Sequence, residues 1–369
     1  MTPLHKVQPA PDMDALMASL RTTIESGWVG EGPRVAQFET AMGAVTGSAH
    51  VTATNSCTSA LTLALRLAGV GPGDEVITTP MTCMATNLPI LLAGAVPVWA
   101  DVDTLTGNIL PASIQSRLTP RTKAIMIVHW GGRPCALHSI NAIAQSAGIK
   151  VIEDAAHALG ASYDGRPIGV HSDLVCFSFQ AIKHIHTGDG GLLTCRGMVD
   201  HARARSLKWF GIDRERRQVN DLGIAEWDIV EPGYKFHMND IAATIGLALL
   251  PTLPANVEHR RHNAAAYDAA FSELRRVWLP PTSAESACWL YTMHVDDQRA
   301  FIRYMAGHGV ACSIVHARND HAKVFAQFRR DDLPGVEQFA ASMVCIPVGP
   351  WVGDAERARV IEAVTAEGW

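Results

Sequence analysis

The sequence contains no Cys-x-x-Cys pair, no long run of like charge, no internal repeat and no low-complexity segment. Its eight cysteines, at 57, 83, 135, 176, 195, 288, 312 and 345, are widely scattered. They read as small buried thiols in a reducing compartment, not as a disulfide framework. A net charge of −5 over 369 residues is small and argues against a nucleic acid or an anionic membrane as partner. The longest apolar stretch, residues 85–100, is broken by Asn87, Pro89 and Pro97 and is too short to span a bilayer. The amino terminus, from Met1 to Pro9, lacks the basic-then-apolar layout of a signal peptide. These absences predict a soluble, cytoplasmic protein. His184-Ile185-His186 has no third ligand at suitable spacing, so no metal is expected.

What is present is a hydrophobic fraction of 48%, ample for extensive cores in two domains or in one large domain with an appendage. Between residues 45 and 195, short β-branched runs alternate with alanine- and leucine-rich helical stretches. Strands are predicted at His50–Thr54, Glu75–Thr79, Val96–Val102, Ala124–His129, Lys150–Glu153, Leu174–Phe179 and Leu192–Cys195. Strands interleaved with helices imply an α/β fold with a mostly parallel seven-stranded sheet, whose ligands bind beyond the carboxyl ends of the strands. Leu61, Ala64, Leu65 and Ala68 recur at helical spacing and Gly69 stops that helix. Another helix is predicted near Ile241–Leu250, after which Pro251 and Pro254 suggest a boundary. The expected division is a large domain over residues 12–250, a smaller α+β domain over 251–369 and an amino-terminal arm over 1–11. Strands near Cys288–Val295, Cys312–His316 and Met343–Ile346 and a helix from Asp354 to Ala366 would build the smaller domain.

The most informative segment runs from Phe177 to Gly191, where a lysine follows an apolar strand and precedes a glycine-rich turn. Pyridoxal phosphate requires a lysine for covalent attachment, a carboxylate for its pyridine nitrogen, donors for its phosphate and packing for its ring faces. Lys183 suits the first demand, and a solvated loop lysine is the alternative. Asp154, at the end of a strand, suits the second or caps the following turn. Glu153, its neighbour in the strand, points to the opposite face. The Ser56-Cys57-Thr58 turn opens a helix, whose free N–H groups and positive dipole suit a phosphate or need only ordinary capping. Ser178 is a second phosphate donor or a serine bonded to its own backbone.

In order along the chain, these residues resemble the DegT/DnrJ/EryC1/StrS family of sugar aminotransferases, which have the aspartate aminotransferase fold. The resemblance spans nearly the whole chain. It takes in Gly27 to Glu39, Gly71 to Ile77, Gly94 to Val102, Ile152 to Gly160, the Lys183 segment and Gly233 to Asp240. It implies Lys183 as the Schiff-base lysine, Asp154 as the pyridinium partner, and Ser178 with Ser56, Cys57 and Thr58 as phosphate ligands. His157 would lie near the ring hydroxyl or face, with a buried structural histidine as the alternative. Lys235 stands where many members carry an asparagine that reaches the neighbouring subunit's phosphate, which implies a homodimer with shared sites. Cys83 stands where the family places an aromatic residue on the ring, and a thiol cannot supply that broad face.

The implied reaction is transfer of an amino group from L-glutamate to a keto sugar linked to a nucleotide, in amino sugar, surface polysaccharide or antibiotic biosynthesis. Trp28, Glu31, His316, Arg318 and Asn319 sit in segments that line the acceptor side in this family. The stretch from Val315 to Asp320 departs from the family pattern of histidine followed by tyrosine. Basic clusters at Arg214 to Arg217 and His259 to His262 read as solvated helix faces or as diphosphate contacts. Two alternatives stand: a pyridoxal phosphate sugar dehydratase, whose pattern has histidine for Lys183, and a non-enzymatic cofactor-binding regulator.

Overall fold

A computed structural model describes residues 1–214, 218–227 and 229–366. All seven predicted strands enter one sheet, in the spatial order Val51–Thr54, Gly191–Cys195, Leu174–Ser178, Lys150–Asp154, Thr122–Val128, Glu75–Thr78 and Val96–Trp99. Gly191–Cys195 alone runs antiparallel to its neighbours. The central strands are buried on both faces, as expected where helices cover a parallel sheet on either side. Alternation assigns the faces: Ile125, Ile127 and Val151 join one core, and Ala124, Met126 and Ile152 join the other. Asp154 therefore shares the second face, while Glu153 points to the first and bonds His129 across 2.8 Å.

Helix Cys57–Leu67 begins where Ser56 accepts from the Ser59 amide, and Gly69 follows it at φ +74°, a conformation glycine adopts without a Cβ clash. Helix Asp240–Leu249 starts under an Asn239 cap, and the Asp240 carboxylate accepts from the Gly32 and Val35 amides that open helix Pro33–Thr46. The stretch Asp240–Phe271 is long and apolar enough to cross a membrane by composition. It is broken at Leu250–Thr252, and Ala242, Ala243, Leu249, Leu253 and Val257 are spent in the first core.

The second sheet, Val277–Trp278, Tyr291–Val295 and Met343–Ile346, is antiparallel. It buries Met293 and Val344 against Tyr267 and Phe271 from the far end of helix Leu253–Phe271. That helix thus serves both cores. Cys312–His316 is not a strand; only Ser313 pairs, exchanging backbone hydrogen bonds with Cys345. A β-branched run reads as a strand, but here the chain turns inward after one bridge to carry His316 and Asn319 toward the first sheet. A fourth apolar cluster, with Trp99, Trp130, Trp289 and Phe339, fills the seam between the sheets.

Candidate active site

Asp154 ends its strand almost fully buried. One carboxylate oxygen accepts from the Ala156 amide at 3.0 Å and the other from the Thr86 hydroxyl at 2.6 Å. Burial pushes its pKa up, and Thr86, Ala156 and the nearby Lys183 oppose that rise. A carboxylate accepts only, so Thr86 must donate, and the Thr82 hydroxyl 2.7 Å away must then donate to Thr86. The loop carrying Thr82 and the helix Met84–Leu92 carrying Thr86 are tied down by Asn319, whose amide donates to the Thr82 carbonyl and accepts from Asn87. The Cys57 thiol also donates, at 3.9 Å, to the oxygen that takes Ala156, while the oxygen that takes Thr86 keeps a lone pair for a further donor.

Lys183 follows the adjacent strand in a turn closed by its own amide on the Gln180 carbonyl. Its Nζ lies 3.7 Å from the centre of the Trp289 ring. Trp289 is held by its Nε1 proton on the Ile182 carbonyl. Burial lowers the lysine to about 8, against the pull of Asp154, Cys57 and Cys83 toward the charged form. His157 stacks on Trp289, with ring centres 3.9 Å apart and planes 17° apart, and His316 lies nearly parallel to His157 at 5.7 Å. Burial first, then the Lys183 charge, holds His157 well below the usual histidine range and His316 at about 4. Both rings are neutral at physiological pH. Nδ1 of His157 and Nε2 of His316 are buried without a protein partner.

Ser178 pairs with Gly191 across the sheet, and a Cβ on Gly191 would sit 2.3 Å from the Ser56 carbonyl. Only glycine lets the Ser56-Cys57-Thr58 turn close onto that strand end, which brings the turn and Ser178 together. The Cys57 and Thr58 amides belong to the first turn of the helix and have no intrahelical acceptor. The Ser178 hydroxyl accepts from the Gln180 amide at 3.3 Å and keeps its own proton to give. Cys83 is half-buried at the start of helix Met84–Leu92.

The sequence matches the DegT/DnrJ/EryC1/StrS aminotransferase family over residues 12–365. The chain belongs to that family. It is 37% identical over 356 residues to the spore coat polysaccharide biosynthesis protein SpsC of Bacillus subtilis (strain 168), covering 93% of this chain and 91% of that protein. The sugar aminotransferase CalS13 from Micromonospora echinospora superposes with a TM-score of 0.94 at 35% identity over the full length of both chains. DesI, solved in the presence of its TDP-sugar product, superposes with a TM-score of 0.88 at 28% identity, covering 100% of this chain and 93% of that one. Relatives have been captured in a PLP form and a PMP form, and the family depends on pyridoxal phosphate.

The aminotransferase site fits that cofactor. A buried carboxylate with spare acceptor capacity, an unpartnered buried imidazole nitrogen on His157 and a helix amino terminus beside a serine lie around one sheltered amine. Other expected residues are placed differently. Lys235 is exposed in the single chain, and only its carbonyl, accepting from Asn55, touches the phosphate turn. Trp28 is 56% exposed, while Glu31 is engaged by Lys208 at 2.6 Å and Arg214 at 3.2 Å. The Arg318 guanidinium is taken by Asp320, and Asn319 is buried with its amide committed to Asn87 and Thr82. These two side chains face inward, because a buried loop must satisfy its polar groups internally. Of the basic clusters, Glu215, Arg216 and Arg217 fall outside the described residues. Arg260 is no solvated face: it is 1% exposed and donates to Asn256 and to the Trp289 carbonyl.

Sequence reading missed Thr86 and Trp289. Thr86 lies in the same segment as Cys83, one helical turn on, and that spacing from a position the family resemblance assigns to the ring was the available signal. Trp289 precedes a strand of the other sheet, and no local pattern links it to Lys183.

Proposed function

We propose that this aminotransferase moves an amino group from L-glutamate to a keto sugar linked to a nucleoside diphosphate, with Lys183 and Asp154 as its catalytic pair. The observation that carries this reading is the half-buried Lys183 amine, set against Trp289, lowered to about 8 and facing the Asp154 carboxylate. A sugar acceptor is supported by the sugar aminotransferase CalS13 and the polysaccharide biosynthesis protein SpsC, and its link to a nucleoside diphosphate by the TDP-sugar product of DesI.

In this reading Asp154 holds the ring nitrogen and His157 Nδ1 meets the ring hydroxyl. Ser178 and the amides of Cys57 and Thr58 hold the phosphate, where the helix dipole favours negative charge. Cys83 would supply a small, soft contact to the ring in place of an aromatic face. The bound cofactor supplies an electron sink for the pair of electrons released when a carbon beside the nitrogen loses its proton. Lys183 is the proton carrier: with a pKa near 8 its Nζ is neutral often enough to accept that proton and acidic enough to return it. Asp154 stays ionised when a cationic N–H occupies its free lone pair, and Thr86 and Ala156 keep it aimed. Neutral His157 and His316 add no competing charge beside the amine.

The residues proposed for the cofactor come from the large domain, 12–250, and Trp289 and His316 reach them from the smaller one, 251–369. The working form is a cytoplasmic homodimer. Met13, Met17, Trp28, Val29, Leu222 and Val230 are exposed apolar side chains available for such a contact, and Lys235, also exposed, would reach the partner's site. Trp28, Glu31 and His316 remain the acceptor-side residues of this proposal.

The test is a half-reaction screen of the pyridoxamine-form enzyme against keto sugar nucleotides, read by the spectral return to the pyridoxal form. Return with a sugar nucleotide, after loading by L-glutamate, is expected. Loss of a sugar hydroxyl without glutamate consumption would establish the dehydratase instead, and inertness to every amino donor would leave a regulator.

A further inference from the structure

The first eleven residues do not trail away from the molecule. The Thr2 amide donates to the Gly309 carbonyl at 2.7 Å, and the Ala311 amide returns a bond to the Thr2 carbonyl at 2.9 Å. The Pro3 carbonyl accepts from the Trp351 indole at 2.7 Å. At the other end, His186 Nε2 donates to the Gln8 carbonyl at 2.9 Å, and the Gly188 amide, directed at Nδ1, fixes that tautomer. Ala10 then enters the first core. The segment is thus a strap, fastened to the smaller domain at one end and to the lysine-bearing loop at the other. Midway along it Leu4 joins the apolar seam, and the His5 ring stacks on Trp289 with centres 4.9 Å apart and planes 19° apart.

We propose that His5 is a positioning residue of this active site: the strap presses its ring onto Trp289, and Trp289 in turn fixes the place and the dryness of the Lys183 amine. This rests on the reading of Lys183 as the cofactor's lysine. Trp289 is also buried in the apolar seam, with its Nε1 proton on the Ile182 carbonyl and its ring stacked on His157, and His5 covers the ring from the strap side. Without His5, one ring contact is lost and water gains access beside the amine. His5 acts through shape and not charge, since burial together with Lys183 and Arg260 lowers it to about 4. Of the titratable groups around Lys183, His157, His316 and Arg260 also face His5. Asp154, Cys57 and Cys83 favour its proton, Arg260 opposes it, and His157, His184 and His316 are neutral.

The experiment is stopped-flow capture of pyridoxal phosphate by the full-length apoenzyme as a function of pH, since only the neutral amine adds to the aldehyde and expels water. The wild-type midpoint is expected near 8. In His5→Ala it should rise by about one pH unit as the amine is rehydrated. In His5→Phe, which keeps a flat ring on Trp289, it should stay with the wild type. Thermal melts of both variants check that the fold persists. An unmoved midpoint in His5→Ala, or an equal rise in both variants, overturns the proposal. Persistent covalent capture by Lys183→Ala would instead overturn the assignment of the lysine.

Discussion

Replacing Thr86 by valine removes one hydroxyl and keeps the shape of the side chain. That hydroxyl makes the 2.6 Å bond to Asp154 and is the last link of the Thr82–Thr86 relay. Hydrogen bonds to charged groups contribute about 1.5–3 kcal/mol, and the loss falls on a carboxylate oxygen that water cannot reach. At about 1.4 kcal/mol per decade, cofactor affinity should weaken roughly 10- to 150-fold. The pH dependence gives the sharper test. Burial already raises Asp154, and Thr86 is the first group opposing it. Without Thr86 the carboxyl climbs further, so part of it is protonated and cannot pair with a cationic ring nitrogen. The deficit relative to wild type should therefore be greatest at low pH and shrink as pH rises and the carboxyl ionises. Equilibrium titration of apoenzyme with pyridoxal phosphate at pH 6, 7.5 and 9 reads this ratio directly. Wild-type affinity in Thr86→Val, or a deficit that grows with pH, would refute the account of the relay.

Three further outcomes are expected. Lys183→Met in the apoenzyme should be stabilising at neutral pH by about 3 kcal/mol, since the native lysine is lowered from 10.5 to about 8 and each unit corresponds to about 1.36 kcal/mol. Between those values the unfolded chain binds more protons, so wild-type stability rises with pH there and the advantage in urea melts should vanish by pH 10.5. Cys83→Phe should tighten cofactor binding by about 0.5–1.5 kcal/mol, or roughly 2- to 12-fold by titration, by restoring an aromatic face. Gly191→Ala should lose about 1–3 kcal/mol in denaturant unfolding and weaken binding of the cofactor's phosphate, because its Cβ would lie 2.3 Å from the Ser56 carbonyl.

Strands at Glu75, Ala124, Lys150 and Leu174 were legible because a strand buried on both faces needs an unbroken apolar run. Asp154, Ser178 and the Ser56 turn could be singled out as candidates because ligands of such sheets gather at strand ends. Cys312–His316 misled because β-branched composition records local preference, while pairing depends on whether a neighbour offers a free edge. Arg318 and Asn319 misled for a related reason: polar residues in a loop look like contacts until their partners, Asp320 and Thr82, are seen to consume them.

Order along one chain therefore determined the α/β sheet and the family and singled out Lys183 and Asp154 as the proposed pair, since each strand and motif is read from a short local segment. Tertiary structure decided the environment that makes them reactive. The Thr86 hydroxyl on Asp154, the Trp289 ring beside Lys183 and the His5 ring on Trp289 join residues 68, 106 and 284 positions apart (154 − 86, 289 − 183 and 289 − 5). Contacts of that separation leave no periodicity in the sequence, and the desolvation that brings Lys183 to about 8 exists only once the two sheets have closed over it.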